Sequence, residues 1–281
     1  MTGPKLSERE FLQISRFIHE QWGLKMPPSK RLMLESRLLK RLRKLEMADF
    51  ESYRAYLFSP AGMENEIIHL IDVVSTNKTG FFREPHSFGY LIQDVLPELV
   101  AARGVGLKKP LMVWSAGCSS GEEPYSLAMT LAEFGERFPG LDFTFTILAT
   151  DVSKSVLDEA RLAVYNLAGV DSVPPELRRK YFLISKDRSL KKVRVVPELR
   201  VKVKFRLLNL MEDFGMREMM DLIFCRNVII YFDGATQERL LSRLCAQLIP
   251  GGCLFMGHSE TLTGMSLPLE PVAPMVYRKK Y

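Results

Sequence analysis

Three stretches of this sequence put hydrogen-bonding side chains where an apolar segment breaks off. The first is Trp114-Ser115-Ala116-Gly117-Cys118-Ser119-Ser120-Gly121-Glu122-Glu123-Pro124-Tyr125-Ser126. Small residues at 115–121 let a ligand approach the main chain closely. A strand running into a helix there turns backbone N–H groups toward that ligand. The run lacks the G-x-G-x-x-G spacing of a dinucleotide site, and Glu122 and Glu123 would repel a diphosphate. A nucleoside with a cationic tail would not be repelled, which favours a sulfonium cofactor. Equally, both carboxylates would complement a helix N-terminus. The second stretch is Ala149-Thr150-Asp151-Val152-Ser153. Asp151 either accepts bonds from ribose hydroxyls or serves the start of a helix, and its place in an α/β frame favours ribose. In the third, the apolar Asp221–Cys225 runs into Arg226-Asn227, whose burial demands a partner, either ligand or protein backbone. Asn209, just past the preceding strand, sits at the equivalent edge and is a candidate for reading a base.

These residues need a scaffold, and hydrophobic periodicity supplies one. From Leu6 to about Val74 the pattern is helical: Phe11, Ile14, Phe17 and Ile18 recur at helical spacing and Gly23 closes the segment. After Pro27-Pro28, Ser29 is the expected N-cap of a helix reaching Met47. Shorter helices follow near Phe50–Phe58 and Glu64–Val74, then another from His86 to about Arg103. From Leu111 the texture alternates. Strands are expected at 111–115, 143–150, 201–208, 221–225, 253–256 and 276–279, with helices at 122–138 and 153–162. Such alternation predicts a doubly wound α/β sheet. Between 164 and 203 a short helix (175–181) and two β-rich pieces (181–184 and 193–196) read as an inserted β-hairpin subdomain. The expected division is a helical N-terminal domain over 1–75 and an α/β domain over 76–281.

The 281 residues are 47% apolar and 26% charged, enough apolar mass for a sizeable core. No run approaches a membrane span or a signal peptide, so a cytoplasmic protein without membrane insertion is expected, and a monomer. Cys118, Cys225, Cys245 and Cys253 lack C-x-x-C spacing, and the four histidines form no H-E-x-x-H pattern, so no metal is expected. Residues 1–60 hold 12 Lys and Arg against 7 Asp and Glu; the remainder holds 27 against 26. An acidic partner is therefore expected at the N-terminal part. On the helix from Ser29, Lys30, Arg37, Lys40, Arg41 and Lys44 form an expected basic face beside an apolar stripe of Leu34, Leu38, Leu42 and Leu45.

Four motifs in order carry a family resemblance. Asn77-x-Thr79-x-Phe81-Phe82-Arg83-Glu84, Gly121-Glu122-Glu123-Pro124-Tyr125-Ser126, Phe224-Cys225-Arg226-Asn227-Val228-x-Ile230-Tyr231-Phe232 and Gly257-His258-Ser259-Glu260 resemble the signature set of CheR-type chemotaxis receptor methyltransferases of bacteria. The resemblance covers essentially the whole chain. It implies a Rossmann-like methyltransferase domain, S-adenosylmethionine as cofactor (S-adenosylhomocysteine as product) and glutamate methyl esters on the cytoplasmic helices of methyl-accepting chemoreceptors. By position, Asn77, Thr79, Arg83, Glu123, Asp151, Asn209, Leu210, Arg226 and Asn227 match the family's cofactor contacts, and Arg83 and Tyr231 the residues at the reacting centre. One departure is visible: the hairpin tip, 184–192, has no glycine, unlike members whose hairpin docks a receptor tether peptide.

A glutamate carboxylate, with a reference pKa of about 4.3, is ionised at neutral pH and needs no general base. What the protein must supply is alignment in a dry pocket. A tight salt bridge to the acceptor carboxylate would hinder attack, so Arg83 is expected to orient substrate or cofactor at a distance. Phe81 and Phe82 read as packing. Two other functions fit part of the pattern. A nucleic-acid methyltransferase would use the basic helical part on phosphates, but Arg226-Asn227-Val228-Ile229 stands where base-amino methylation commonly uses Asn/Asp-Pro-Pro-aromatic. A non-catalytic S-adenosylmethionine-binding regulator would keep the pocket without turnover.

Overall fold

Ser7 opens the first helix with a capping box: its hydroxyl accepts the Glu10 amide while the Glu10 carboxylate accepts the Ser7 amide. In the computed structural model, which describes residues 4–280, helix α1 runs Glu8–Trp22 and stops at Gly23, whose φ of 69° is the left-handed conformation a glycine adopts without cost. A 3-10 turn, Pro28–Lys30, leads into α2 (Arg31–Lys44). The expected cap at Ser29 is not made. Pro28 begins the turn one step too early, and α2 starts behind Lys30 with no side-chain cap. Helices α3 (Phe50–Leu57), α4 (Pro60–Asn65) and α5 (Ile67–Val74) complete a bundle around Phe11, Ile14, Ile18, Leu34, Leu38, Tyr53 and Leu70.

The helix expected over 86–103 comes in three pieces: α6 (Pro85–Tyr90), a π-turn (Leu91–Val95) and α7 (Leu96–Arg103). Pro97 has no N–H to give and its ring crowds the preceding turn, which the wider π-turn relieves. Then follow β1 (Leu111–Ala116), α8 (Glu122–Gly135), β2 (Phe145–Asp151) and α9 (Lys154–Leu162). The insertion contains β3 (Val164–Asn166), α10 (Pro175–Tyr181), β4 (Phe182–Ile184), β5 (Lys192–Val195) and α11 (Pro197–Arg200). The chain ends with β6 (Val203–Leu207), β7 (Met220–Cys225), α12 (Gly234–Gln247), β8 (Leu248–Met256), β9 (Leu269–Ala273) and β10 (Val276–Lys279).

The main sheet has the order β6-β2-β1-β7-β8-β10-β9, with β6, β2, β1, β7 and β8 parallel and the β10 hairpin antiparallel. The period of two sorts the strands onto two covered faces. Leu111, Val113, Leu222 and Phe224 join one core; Trp114, Ala116, Ile223 and Cys225 join the other. This is the doubly wound α/β architecture with a helical bundle before it. The insertion is a three-stranded antiparallel sheet, β3-β5-β4, instead of a hairpin, because Val164–Asn166 pairs with β5. It also qualifies the charge count: residues 164–206 hold 12 Lys and Arg against 4 Asp and Glu, an excess masked by acidic sequence elsewhere. All four cysteines are buried and unpaired. Among the described residues no helix is long and apolar enough to cross a membrane.

The bundle is bolted to the sheet at the strands' carboxyl edge. Ser153 Oγ donates to Asp72 at 2.6 Å, His19 Nε2 meets Asp233 at 2.7 Å, and the Lys25 amide donates to the Tyr231 carbonyl at 2.8 Å. These contacts put the bundle over the edge where the three chemical stretches end.

Candidate functional site

Parallel strands deliver their last residues to one edge, and at a switch in strand order the loops part to leave a crevice. Here the switch lies at β1, with β2 on one side and β7 on the other. A cavity of about 280 Å³ opens there, walled by the loops after β1, β2, β6 and β7, the linker 75–83, and the bundle's segment from the end of α1 to the 3-10 turn. Every expected cofactor residue lines it: Asn77, Thr79, Arg83, Glu123, Asp151, Asn209, Leu210, Arg226 and Asn227, together with Tyr231 and Lys30.

The floor is built from buried charge. Arg226, whose side chain is 2% exposed, gives Nη1 to Glu123 at 3.2 Å, and Nη2 to both Glu84 at 2.8 Å and the Arg83 carbonyl at 2.5 Å. The partner demanded of Arg226 is thus two carboxylates and a backbone oxygen, while its Nε finds none among the described residues. Ser115 Oγ donates to the other Glu123 oxygen at 2.7 Å. Burial pushes the Glu123 carboxyl above its ordinary value, with Arg226 and Ser115 pulling against it. Glu84 is partly desolvated too, yet keeps enough water for Arg226 to hold its carboxyl below the ordinary value. Asp151 ends β2 at 8% exposure. Its oxygens accept the amides of Ser119 at 2.8 Å and Ser153 at 3.0 Å, each keeping lone-pair capacity for hydroxyls. Burial raises its carboxyl as well. Of the two adjacent glutamates only Glu123 faces the cavity; Glu122 accepts the Ser120 hydroxyl at 2.8 Å.

The rim carries the opposite sign. Lys25, Lys78 and Arg83 are exposed lining residues, Lys30 is half-buried, and the Lys30 ammonium lies 5.7 Å from the Tyr231 ring centroid. Arg83 gives Nη1 to the Lys78 carbonyl at 3.1 Å, inside its own linker. A ligand positive at its inner end and an acceptor negative at its outer end suit such a gradient. Two inner lining carboxylates, buried Asp151 and Glu123 with its side chain 14% exposed, face one buried lining cation, Arg226, and a sulfonium nucleoside fits them where a diphosphate does not.

Backbone strain concentrates here. Phe82, Glu84, Ser119 and Asn227 adopt φ of 49°, 57°, 49° and 59°, all left-handed without glycine. Each belongs to the linker or to a loop at the strand ends, where strained residues need surrounding contacts to hold them. Phe81 packs edge-on against Tyr165 and Phe182, a core residue as expected.

Other expectations meet a different arrangement. Asn209 spends its amide on the Gln21 carbonyl at 2.8 Å and on Glu212 at 3.1 Å, so its donors are engaged away from a base. The five-residue basic face of α2 is not assembled. Arg41 is 9% exposed and grips Glu66 through Nε and Nη2, both at 2.7 Å. Arg37 gives Nη1 to the carbonyls of Val73, Val74 and Ser75 at 2.8–3.1 Å, closing the end of α5. The signal was present: Arg37 and Arg41 stand three and seven residues after Leu34, on the apolar stripe. Lys40 and Lys44 are exposed, and Lys30 belongs to the rim. Ser115, Ser119 and Glu84 hold the site together and were not singled out for it, although each lies in a quoted motif.

Comparisons with known proteins cover nearly the whole chain. The CheR methyltransferase all-alpha domain matches residues 9–75, and the CheR methyltransferase SAM-binding domain matches residues 77–275. The chemotaxis protein methyltransferase of Vibrio parahaemolyticus is 38% identical over 274 residues, 97% of this chain and 96% of that protein. Chemotaxis protein methyltransferase 2 of Pseudomonas aeruginosa is 39% identical over 272 residues, 96% of this chain and 93% of that protein. The Borreliella burgdorferi chemotaxis protein methyltransferase is 38% identical over 275 residues, 98% and 95% of the two. Among solved structures, the plantazolicin methyltransferase BpumL with SAH overlaps at a TM-score of 0.34 and 11% identity over 72% of this chain and 55% of that one.

Proposed function

This chain belongs to the CheR methyltransferase family, with S-adenosylmethionine as its cofactor, and from that premise we propose that it esterifies glutamate side chains on the cytoplasmic helices of a chemoreceptor. The observation that carries the reading is the sign change across the cavity, with Asp151 buried and Glu123 largely buried inside and exposed cations at the mouth. The cofactor brings an electrophilic methyl group on a positively charged sulfur. Asp151 and Glu123 would hold it from the floor, with Arg226 setting the position of Glu123. Asn77, Thr79, Leu210 and Asn227 would enclose it.

Arg83, Lys30 and Lys25 attract a carboxylate to the mouth without a buried, bidentate grip, which keeps the acceptor nucleophilic. Tyr231 stands beside Lys30 at that mouth and would face the reacting atoms. The acceptor is already ionised at neutral pH, so the site is suited to orientation. Exposed Lys40 and Lys44, and the basic inserted sheet, offer further surface to an acidic helix.

The test is transfer of a radiolabelled methyl group to receptor-containing membranes, scoring counts released by base. Wild-type protein should give base-labile counts, as an ester does. Lys30→Glu should lower kcat/KM for receptor by about tenfold, roughly 1.4 kcal/mol, with S-adenosylhomocysteine affinity within about twofold of wild type. Base-stable counts, or none, would refute glutamate esterification.

A further inference from the structure

The fourth motif, Gly257-His258-Ser259-Glu260, has no part in the cavity wall. Glu260 is 3% exposed, and every partner it has among the described residues is a backbone amide. Oε1 accepts from Val228 and Ile229, both at 2.8 Å. Oε2 accepts from Asn227 at 2.9 Å and Gly257 at 2.7 Å. Three of those four donors belong to the segment that leaves β7, between strand and 3-10 turn, where neither structure can satisfy them.

We propose that Glu260 is a positioning residue of the cofactor cleft: it holds Asn227–Tyr231 on the one path that turns Arg226, Asn227 and Tyr231 into the cavity. A carboxylate buried without a cation is costly, and here four amides offset that cost by pointing at it. The same bonds keep Asn227 left-handed. The turn and the segment lie flush. A Cβ at Gly257 would come within 2.5 Å of Asn227 Nδ2 and 2.8 Å of its N. On the other side, a Cβ at Gly117 would meet Val228 Cγ2 at 2.5 Å. The segment is therefore clamped between the ends of β8 and β1, and a shift of the Glu260 carboxylate passes directly to cavity-lining atoms. The inference rests on the cleft being the cofactor site, not on the identity of the acceptor.

Glu260→Gln tests it at constant size. Whichever way the new amide turns, its NH₂ faces two N–H donors, and half the clamp is lost. Titration calorimetry should find S-adenosylhomocysteine bound at least about tenfold more weakly by the folded variant. Without any ligand, hydrogen exchange in 226–232 should quicken at least about tenfold, while 34–42 in the bundle stays as in wild type. Glu66→Gln is the control, another buried carboxylate. It should lower stability and leave affinity of the folded fraction within about twofold. Gly257→Ala lifts the turn off Asn227 with no change of charge, should also weaken binding about tenfold, and decides the matter if Glu260→Gln does not fold. Wild-type affinity in the folded Glu260→Gln protein (or in Gly257→Ala where that protein is unfolded), or an equal loss in Glu66→Gln, overturns the proposal. A wild-type protein that fails to bind S-adenosylhomocysteine would bring down the cleft reading along with it.

Discussion

Two arginines are buried in this molecule within reach of carboxylates, and they do opposite things. Arg41 in the bundle faces one carboxylate, Glu66, through two matched bonds, with Tyr53 donating to the same group at 3.1 Å. Charge there sums to zero and the local geometry is closed. Arg226 in the cleft is shared between Glu84 and Glu123, with a third carboxylate, Asp151, beside Glu123 in the cavity wall and, among the described residues, an Nε without partner. Burial lifts Glu123 and Asp151 above their ordinary values, so both gain from a positive neighbour. A self-contained pair stabilises a fold, or merely specifies it; an arginine outnumbered by acids describes a site that a ligand completes.

The sharpest way to break that contrast is to remove each arginine. Arg226→Met leaves Glu84 and Glu123 facing each other, and the cost of an uncompensated buried charge is about 3–5 kcal/mol. S-adenosylhomocysteine affinity in calorimetry should fall by about 100-fold or more, because the linker and Glu123 lose their common anchor. Arg41→Met should cost about the same in a urea melt, yet leave affinity of the folded fraction intact. The double change Arg41→Met with Glu66→Leu should recover most of the loss, since apolar replacement of a buried pair is often neutral. Recovery of binding by the corresponding change at Arg226 and Glu84 would erase the distinction.

The same contrast explains what was legible in the sequence. Strands β1, β2 and β7 were readable because both faces are covered, which leaves long apolar runs ending in polar residues. Their loops therefore announced Asp151, Arg226 and Asn227, all of which the cleft brings together. One short piece was not readable: β3 has three residues and exists by pairing with β5, some 28 positions on. Partner choice was the deeper gap. Periodicity gives an angle on α2 but not that Glu66, 25 residues away, waits for Arg41. Nor could spacing reveal that Glu260 would serve amides 31–33 residues earlier. Glu84 was visible as a motif letter; its bond to Arg226, 142 positions distant, was not.

A third side-chain contact to a carboxylate tests whether burial, rather than pairing itself, separates these roles. His19 and Asp233 meet at 2.7 Å, with side chains 47% and 34% exposed, joining α1 to the start of α12 close to Tyr231. Asp233 also caps α12, its Oδ1 accepting the Thr236 amide at 2.9 Å. The His19 contact, and after it the Thr236 amide, hold the Asp233 carboxyl down at about 2. A depressed carboxyl stabilises the fold above its unfolded value, near 3.8, and loses that contribution as pH falls toward 2. Solvent screens so exposed a pair, leaving the cap as the main term, about 1 kcal/mol. Asp233→Ala should thus lower the urea midpoint at pH 7 by that modest amount, with the gap to wild type narrowing between about pH 4 and pH 2. Cofactor affinity should stay within about twofold. A gap that widened as the medium grew more acidic would mean the carboxylate is not what the junction relies on. A large loss of affinity would mean that an exposed bolt can govern the cleft as strongly as the buried arginine does.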